Sequence, residues 1–90
     1  MWEIYESPRA QKAVKNLPRE ILKRYEKWKD IVMLSGPSGL YFIKGFHDEK
    51  LKGKWEGLRS SRLNIQYRVI YRIDGGKLIV EVFDINAHDY

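Results

Sequence analysis

Basic residues are concentrated in one stretch of the sequence, Lys44 to Arg72, which holds eight of the 17 Lys and Arg residues. The same stretch holds only three of the 12 Asp and Glu residues, so its excess of five positive charges equals the net charge of the chain. Cations fixed on strand-forming sequence among aromatic residues suit a polyanion that must be held in one pose. The stretch therefore predicts a nucleic-acid site. A basic surface that serves only solubility is the alternative.

The strand predicted over Gln66–Ile73 divides its side chains between two faces of a sheet. Arg68 and Arg72 fall on one face together with Ile70, and we expect that face to be open. The other face suits packing under helices and receives Tyr67, Val69, Tyr71 and Ile73. Alternation therefore predicts two guanidinium groups on the uncovered side of the sheet.

Two interpretations of these two arginines remain open. If Arg59 or Arg62 of the neighbouring strand joins them, several charge-assisted hydrogen bonds could hold a phosphate. Alternatively, the arginines pair with acidic residues of the following strand, Glu81 or Asp84, because cross-strand ion pairs are common. The spacing of the residues does not separate the two interpretations.

A glycine flanked by two lysines precedes the first of these strands. Gly53 permits close approach of a ligand backbone, and Lys52 and Lys54 place mobile positive charge beside it. The same pattern is typical of an ordinary exposed loop.

The last residues follow directly from a predicted strand, so their polar groups are expected at the edge of the sheet. His88 titrates near neutral pH and could donate or accept a proton. Tyr90 could stack on a base or donate its hydroxyl to a phosphate. A terminal histidine that is simply exposed to solvent is the alternative.

The elements that position these groups begin with a strand over residues 1–5, which alternates apolar and polar side chains. Ser7 and Pro8 are typical of a helix start, and helical spacing predicts a short helix to Asn16. A second helix with an apolar stripe follows Pro18 and runs to about Leu34.

The second half of the chain is predicted to form a β-sheet. A break over residues 35–39 precedes Leu40–Ile43, which is expected to be a short extended piece or a lid over the core. Asp74 to Gly76 predicts a hairpin turn. The strands are predicted over Trp55–Leu63, Gln66–Ile73 and Leu78–Ile85. The order predicts an α+β fold, with an N-terminal strand, two helices on one face, and a three-stranded antiparallel meander.

Length and composition limit the kinds of protein that this chain can be. Ninety residues predict a single domain, 1–90. The absence of Cys excludes thiolate metal sites, and two His are too few for a His-based zinc site unless carboxylates contribute. We expect no metal and no cofactor. No apolar run approaches the ~20 residues of a membrane span, and no signal-peptide pattern is present. We expect a soluble cytoplasmic protein with an anionic partner.

Three sequence pieces together resemble the RelE/ParE superfamily of bacterial toxins. They are Lys50–Arg59 (KLKGKWEGLR), Tyr67–Tyr71 (YRVIY) and the terminal His88–Tyr90 (HDY). The similarity is greatest to the HigB and YafQ-like mRNA interferases of the RelE branch. It implies a sheet like that of microbial ribonucleases, whose concave face cleaves mRNA in the ribosomal A site. The implied reaction is metal-independent attack of a ribose 2′-hydroxyl on the adjacent phosphate.

The resemblance also implies roles for individual residues. Arg68 matches the arginine expected to hold the scissile phosphate, and Lys52 matches the lysine of the LKG piece, with Lys54 as a nearby cation. His88 and Tyr90 match the pair credited with proton transfer and with orienting the nucleotide. The remaining residues expected to contact RNA are Lys50, Arg59, Arg62, Arg72 and Asp89.

Two positions depart from the YafQ-like pattern. Glu49 and Arg62 stand where those proteins carry histidine, so the choice of general base is open. The resemblance implies a cognate antitoxin as partner and mRNA on the ribosome as substrate, with operator DNA contacted only through the antitoxin. A ParE-like inhibitor of DNA gyrase and a non-catalytic RNA-binding module are alternatives, and the terminal His88 and Tyr90 favour the nuclease.

Overall fold

A computed structural model describes residues 1–87 of the chain, and the terminal residues His88, Asp89 and Tyr90 lie outside the described part. Two short 3-10 helices cover Lys44–Phe46 and Gly53–Trp55. The α-helices are α1 (Pro8–Lys15), α2 (Arg19–Ser35) and α3 (Ser38–Tyr41). The strands are β1 (Glu3–Glu6), β2 (Glu49–Lys50), β3 (Arg59–Arg62), β4 (Arg68–Asp74) and β5 (Ile79–Asn86). In residues 1–87, no helix combines the length and apolar character needed to cross a membrane.

The strands form one five-stranded sheet in the order β1-β5-β4-β3-β2. The predicted meander is confirmed, because β3, β4 and β5 pair antiparallel in sequence order. The N-terminal strand β1 pairs parallel with β5 at one edge, and the two-residue β2 pairs antiparallel with β3 at the other. The predicted α+β class is therefore confirmed.

Local sequence signals explain the two long helices. Ser7 caps α1, because its Oγ accepts a hydrogen bond from the backbone N–H of Ala10 at 3.0 Å. Helix α2 ends at Gly36, whose positive φ of 75° is a left-handed conformation that favours glycine. A side chain at Gly36 would also collide with the ring of Trp2, since a Cβ would lie 2.6 Å from its Nε1.

The core lies between the helices and one face of the sheet. The apolar stripe predicted for α2 is buried, and Trp28 contacts the ring of Tyr71 edge-on with 5.2 Å between ring centroids. The side chains that β4 and β5 contribute to this core are Val69, Tyr71, Val80, Val82 and Ile85. The side-chain alternation predicted for β4 is confirmed, because its odd-numbered residues face the helices.

The structure selects one of the two alternatives for residues 40–43 and corrects the start of one predicted strand. Leu40 lies in α3 and is fully buried, so the 40–43 segment is a helical cover of the core at Leu40 and not an extended piece. The strand predicted from Trp55 begins only at Arg59. Gly53 and Gly57 have φ angles of 66° and 94°, and these left-handed turns interrupt the extended backbone before β3.

A buried carboxylate joins three strands on the helix side of the sheet. Asp48, whose side chain is only 4% exposed, precedes β2 and forms an ion pair with Nη2 of Arg59 at 2.6 Å. It also accepts hydrogen bonds from Ser61 Oγ at 2.6 Å and from the Tyr71 hydroxyl. Asp48 therefore attaches the short strand β2 to β3 and β4.

Replacing Asp48 with Asn should lower the free energy of unfolding by about 3 kcal/mol, because Arg59 keeps a largely desolvated charge without its partner. Urea unfolding monitored by tryptophan fluorescence measures the change. Asp30→Asn is the matched control, since Asp30 is an exposed residue of α2. Equal stability of the two variants would contradict this role for Asp48.

Two buried phenols make stability sensitive to alkaline pH. The pKa values of the Tyr25 and Tyr71 hydroxyls are raised above the ordinary value of about 10. The larger cause is burial, and the second is the carboxylate that each hydroxyl contacts. The folded chain therefore retains protons that the unfolded chain loses above pH ~10. Each phenol makes its full contribution to the free energy of unfolding below that pH. Above it, the free energy of unfolding should fall by about 1.4 kcal/mol per pH unit for each phenol. Urea unfolding between pH 9 and roughly 11 should show a smaller slope for Tyr25→Phe and an unchanged slope for Tyr41→Phe, because Tyr41 is exposed.

Candidate nucleic-acid interface

The register of the strands places two arginines side by side on the face of the sheet that points away from the main core. Arg62 of β3 lies directly opposite Arg68 of β4, and Arg68 lies directly opposite Asn86 of β5. The Cβ atoms of such opposed residues are about 5 Å apart. Both arginines are half-buried, so their side chains are held close to the sheet.

The neighbouring row on the same face is Glu49, Ser60, Ile70 and Asp84. Ile70 is fully buried and Ser60 is 2% exposed. The expectation that Ile70 would lie on an open surface is therefore wrong, although its face was predicted correctly. Apolar burial continues on this side of the sheet, because strand alternation fixes the direction of a side chain and not what covers it.

Glu49 brings an exposed carboxylate to this face. It lies opposite Ser60 and hence diagonal to Arg62, a relation in which side chains are about 7–8 Å apart. Sequence reasoning did not assign a role to Glu49. A strand of two residues has no visible periodicity, and only the pairing of β2 with β3 places the carboxylate beside the arginines.

The structure decides between the two interpretations for Arg72. Arg72 pairs with Glu81 through a 2.9 Å ion pair in which both side chains are about half exposed, so the cross-strand pair interpretation is confirmed for Arg72. The ion-pair partner of Asp84 is not Arg68. Its carboxylate is engaged by Arg9 of α1 at 3.2 Å and by the Asn86 amide at 2.7 Å.

Arg59 does not join the pair of arginines. It lies opposite Tyr71 and is bound to Asp48 on the helix side, so Arg59 is not the arginine of β3 that lies beside Arg68. Arg62 does take that position. Arg59 and Arg62 are three positions apart in β3, and an odd separation in a strand places side chains on opposite faces.

The predicted lysines lie away from this pair. Lys50 is opposite Arg59, at the other end of β3 from Arg62, and three residues of strand span about 10 Å. Lys52 and Lys54 are exposed in the loop that continues beyond this end. The Nζ of Lys54 lies 5.3 Å from the centre of the Trp55 ring. The predicted cations therefore form two groups, one around Arg62 and Arg68 and one around Lys50, Lys52 and Arg59.

A β-bulge shapes the end of β5. Ile70 pairs with Asp84 whereas Tyr71 pairs with Val82, so Phe83 is an extra residue in β5. Beyond the bulge β5 continues to Asn86, next to Arg68. The predicted site residues His88, Asp89 and Tyr90 follow in the sequence and lie outside the described residues.

A phosphate bound between Arg62 and Arg68 should stabilise the folded chain, because a ligand that binds only the folded state raises the free energy of unfolding. Urea unfolding with and without added phosphate measures the gain. Arg62→Gln should remove most of the gain, because one of the two guanidinium groups is lost. Arg72→Gln is the control and should keep the gain, because Arg72 lies away from the pair and binds Glu81. An equal gain in all three chains would contradict a phosphate site at this pair.

Searches by sequence match no family model and no curated protein. Solved structures with the same fold do exist. YafQ from E. coli strain BL21(DE3) aligns with a TM-score of 0.79 at 13% identity over 98% of this chain and 94% of that one. The archaeal RelE–RelB complex from Pyrococcus horikoshii OT3 gives a TM-score of 0.75 at 22% identity, with 96% and 93% covered. The toxin–antitoxin complex RelBE2 from Mycobacterium tuberculosis gives 0.75 at 20% identity, with 97% and 91% covered.

All three alignments span nearly the whole of both chains at identities of 22% or less, and such similarity establishes the fold. The fold implied by the resemblance to the RelE/ParE superfamily is therefore confirmed. The chain has the RelE-like fold of these toxins.

Proposed function

We propose that this chain is a single-domain toxin of a type II toxin–antitoxin pair and cleaves mRNA in the ribosomal A site as a metal-independent endoribonuclease. The observation that carries the proposal is the direct opposition of Arg62 and Arg68 on the face that also bears the Glu49 carboxylate. Two guanidinium groups at this separation suit the charge that develops on a phosphodiester during cleavage. The toxins that share the fold support the assignment.

The proposed reaction is transesterification within the RNA strand. The ribose 2′-oxygen loses its proton to a base and bonds to the adjacent phosphorus, and the bond from phosphorus to the 5′-oxygen breaks. The leaving oxygen takes up a proton from an acid. The products are a 2′,3′-cyclic phosphate and a 5′-hydroxyl. Arg62 and Arg68 would donate hydrogen bonds to the non-bridging oxygens, where negative charge increases in the transition state.

A base and an acid are needed on either side of the phosphate. Glu49 is exposed on the same face and diagonal to Arg62, so we assign it the 2′-hydroxyl proton. His88 follows Asn86 by two residues, and Asn86 is opposite Arg68, so we assign His88 the proton for the leaving group. Tyr90 would stack on a base, with Asp89 beside it in the sequence.

The lysines play a different part in this proposal. Lys52 and Lys54 lie beyond the far end of β3, more than about 10 Å along the sheet from Arg62. At that distance they attract RNA through the field of the basic surface without neutralising the reacting phosphate. Arg72 is also remote, and Glu81 already neutralises it.

The partner follows from the same comparison. RelE and RelBE2 were solved with antitoxins, and a chain with a net charge of +5 suits an acidic protein. We propose a cognate antitoxin that neutralises this chain and contacts operator DNA on behalf of the pair. A substrate on the ribosome implies a cytoplasmic location.

Combining Arg68→Ala with His88→Ala should abolish growth arrest on induction. Glu49→Gln alone should reduce cleavage by about 10²–10³-fold, because it removes the proposed base and leaves the arginines in place. Arg72→Ala is the matched control and should remain toxic. Primer extension on a translated message measures cleavage and its dependence on the reading frame.

Three other outcomes would exclude this nuclease assignment. Full toxicity of the double variant would show that Arg68 and His88 do not carry the activity. Growth arrest with intact mRNA and accumulating gyrase–DNA breaks would select the ParE-like alternative. RNA binding without any cleavage product would select the non-catalytic module.

A further inference from the structure

The covalent structure of a ribonucleotide restricts where one base of the RNA can lie. The attacking 2′-oxygen is bonded to C2′ of the ribose, and C2′ lies between C1′, which carries the base, and C3′, which carries the scissile phosphate. With the phosphate at Arg62 and Arg68 and the 2′-hydroxyl at Glu49, the base therefore extends past Glu49 and away from the arginines. The surface that adjoins Glu49 is the surface that this base meets.

A cavity of about 360 Å³ adjoins Glu49. This volume lies in the range of roughly 300–1,000 Å³ that is typical of small-ligand sites. The wall of the cavity is formed by α3, by the turn that precedes β2, and by Glu49 itself, and its residues are Leu40, Tyr41, Ile43, Lys44, His47, Asp48 and Glu49. Glu49 is therefore shared by two places, because it lines the cavity and also lies diagonal to Arg62.

The cavity offers an exposed aromatic ring. Tyr41 is 77% exposed, although its neighbour Leu40 in α3 is fully buried. The ring of Phe42, which is also exposed, contacts the Tyr41 ring edge-on with 6.3 Å between ring centroids. Bases of single-stranded nucleic acid stack on such rings, and every kind of base has a face that can do so. Packing does not account for two adjacent exposed rings, whereas a stacked base does.

Polar side chains stand beside the ring. Lys44 and His47 are exposed and line the same cavity. His47 has a φ of 47°, a left-handed conformation that is uncommon for a residue with a Cβ atom, and its backbone N–H donates a hydrogen bond to the Lys44 carbonyl at 3.0 Å. An ammonium group and an imidazole can both form hydrogen bonds with the polar edge of a base. The Asp48 carboxylate in the wall is already paired with Arg59, so it does not repel RNA as a bare charge would.

We propose that this cavity binds the base of the nucleotide whose 2′-hydroxyl attacks, with Tyr41 as the stacking surface. The proposal rests on the proposed function, because that function places the 2′-hydroxyl at Glu49. Lys44 and His47 contact the edge of the base, and the stacked base turns the ribose so that its 2′-oxygen points at Glu49. A base in the cavity cannot be paired with another strand, so the site accepts only single-stranded RNA.

The test is amide chemical-shift mapping of the ¹⁵N-labelled full chain with the deoxy dinucleotide d(ApA). Its single phosphodiester fixes the register at the arginines, and the missing 2′-hydroxyl prevents cleavage. The probe should shift the amides of Arg62 and Arg68 and also those of Tyr41, Lys44 and His47. Removing the 5′ base from the probe should abolish the second set of shifts, keep the first, and weaken binding by about tenfold. Removing the 3′ base should keep both sets.

A change of the stacking ring sharpens the test. Tyr41→Leu should weaken binding of the complete dinucleotide by about tenfold and leave binding of the probe without the 5′ base unchanged, because the ring acts on that base alone. Tyr5→Leu is the matched control, since Tyr5 is an exposed tyrosine of β1 at the other edge of the sheet. It should leave the binding of both probes unchanged.

Several outcomes would overturn the proposal. Shifts at the arginines without shifts at the cavity would refute the base site and leave the nuclease proposal intact. Cavity shifts that persist without the 5′ base, or equal weakening by Tyr41→Leu and Tyr5→Leu, would refute it as well. A stronger response of the cavity to N-acetylleucinamide than to d(ApA) would make it an apolar peptide site instead. If the 5′ base shifts the cavity amides while the arginines do not respond, the phosphate site fails and the base site stands.

Discussion

Burial of Tyr71 is the constraint on which the rest of this structure depends. Its side chain is fully buried, packs edge-on against Trp28 of α2, and donates a hydrogen bond to Asp48. Side chains in a strand alternate with a period of two, so placing Tyr71 under the helices sends Arg68 to the opposite face. A slip of one residue would bury the guanidinium in the core and expose the phenol. The helices thus determine which face of the sheet carries Arg68.

The fold was largely predictable because its main elements carry strong local patterns. The stripe of α2 and the alternation of β4 are periodic over many residues, and the Ser7 cap is a direct signal of a helix start. β2 was not predictable, since its two residues have no period. Its position depends on a carboxylate outside the strand, Asp48, that binds side chains from two later strands.

The candidate site was predictable in part, and the reason lies in the difference between sequence distance and sheet geometry. Counting charges identified the basic stretch but could not assign its residues to the two faces of the sheet. Arg59 and Arg62 are three residues apart in the sequence and lie on opposite faces of β3. Lys52 lies in the loop before β3, at the opposite end of that strand from Arg62. Only the register of β3 against β4 shows which cations share a face.

The opposition of Arg62 and Arg68 bears on the proposed function through geometry. Directly opposed positions bring two guanidinium groups to one place on the sheet, and the register of β3 against β4 holds them there. A phosphate between them could accept charge-assisted hydrogen bonds from both groups. Because the sheet fixes the two residues before any ligand binds, little further ordering is needed on binding, and more of the interaction energy is left for affinity.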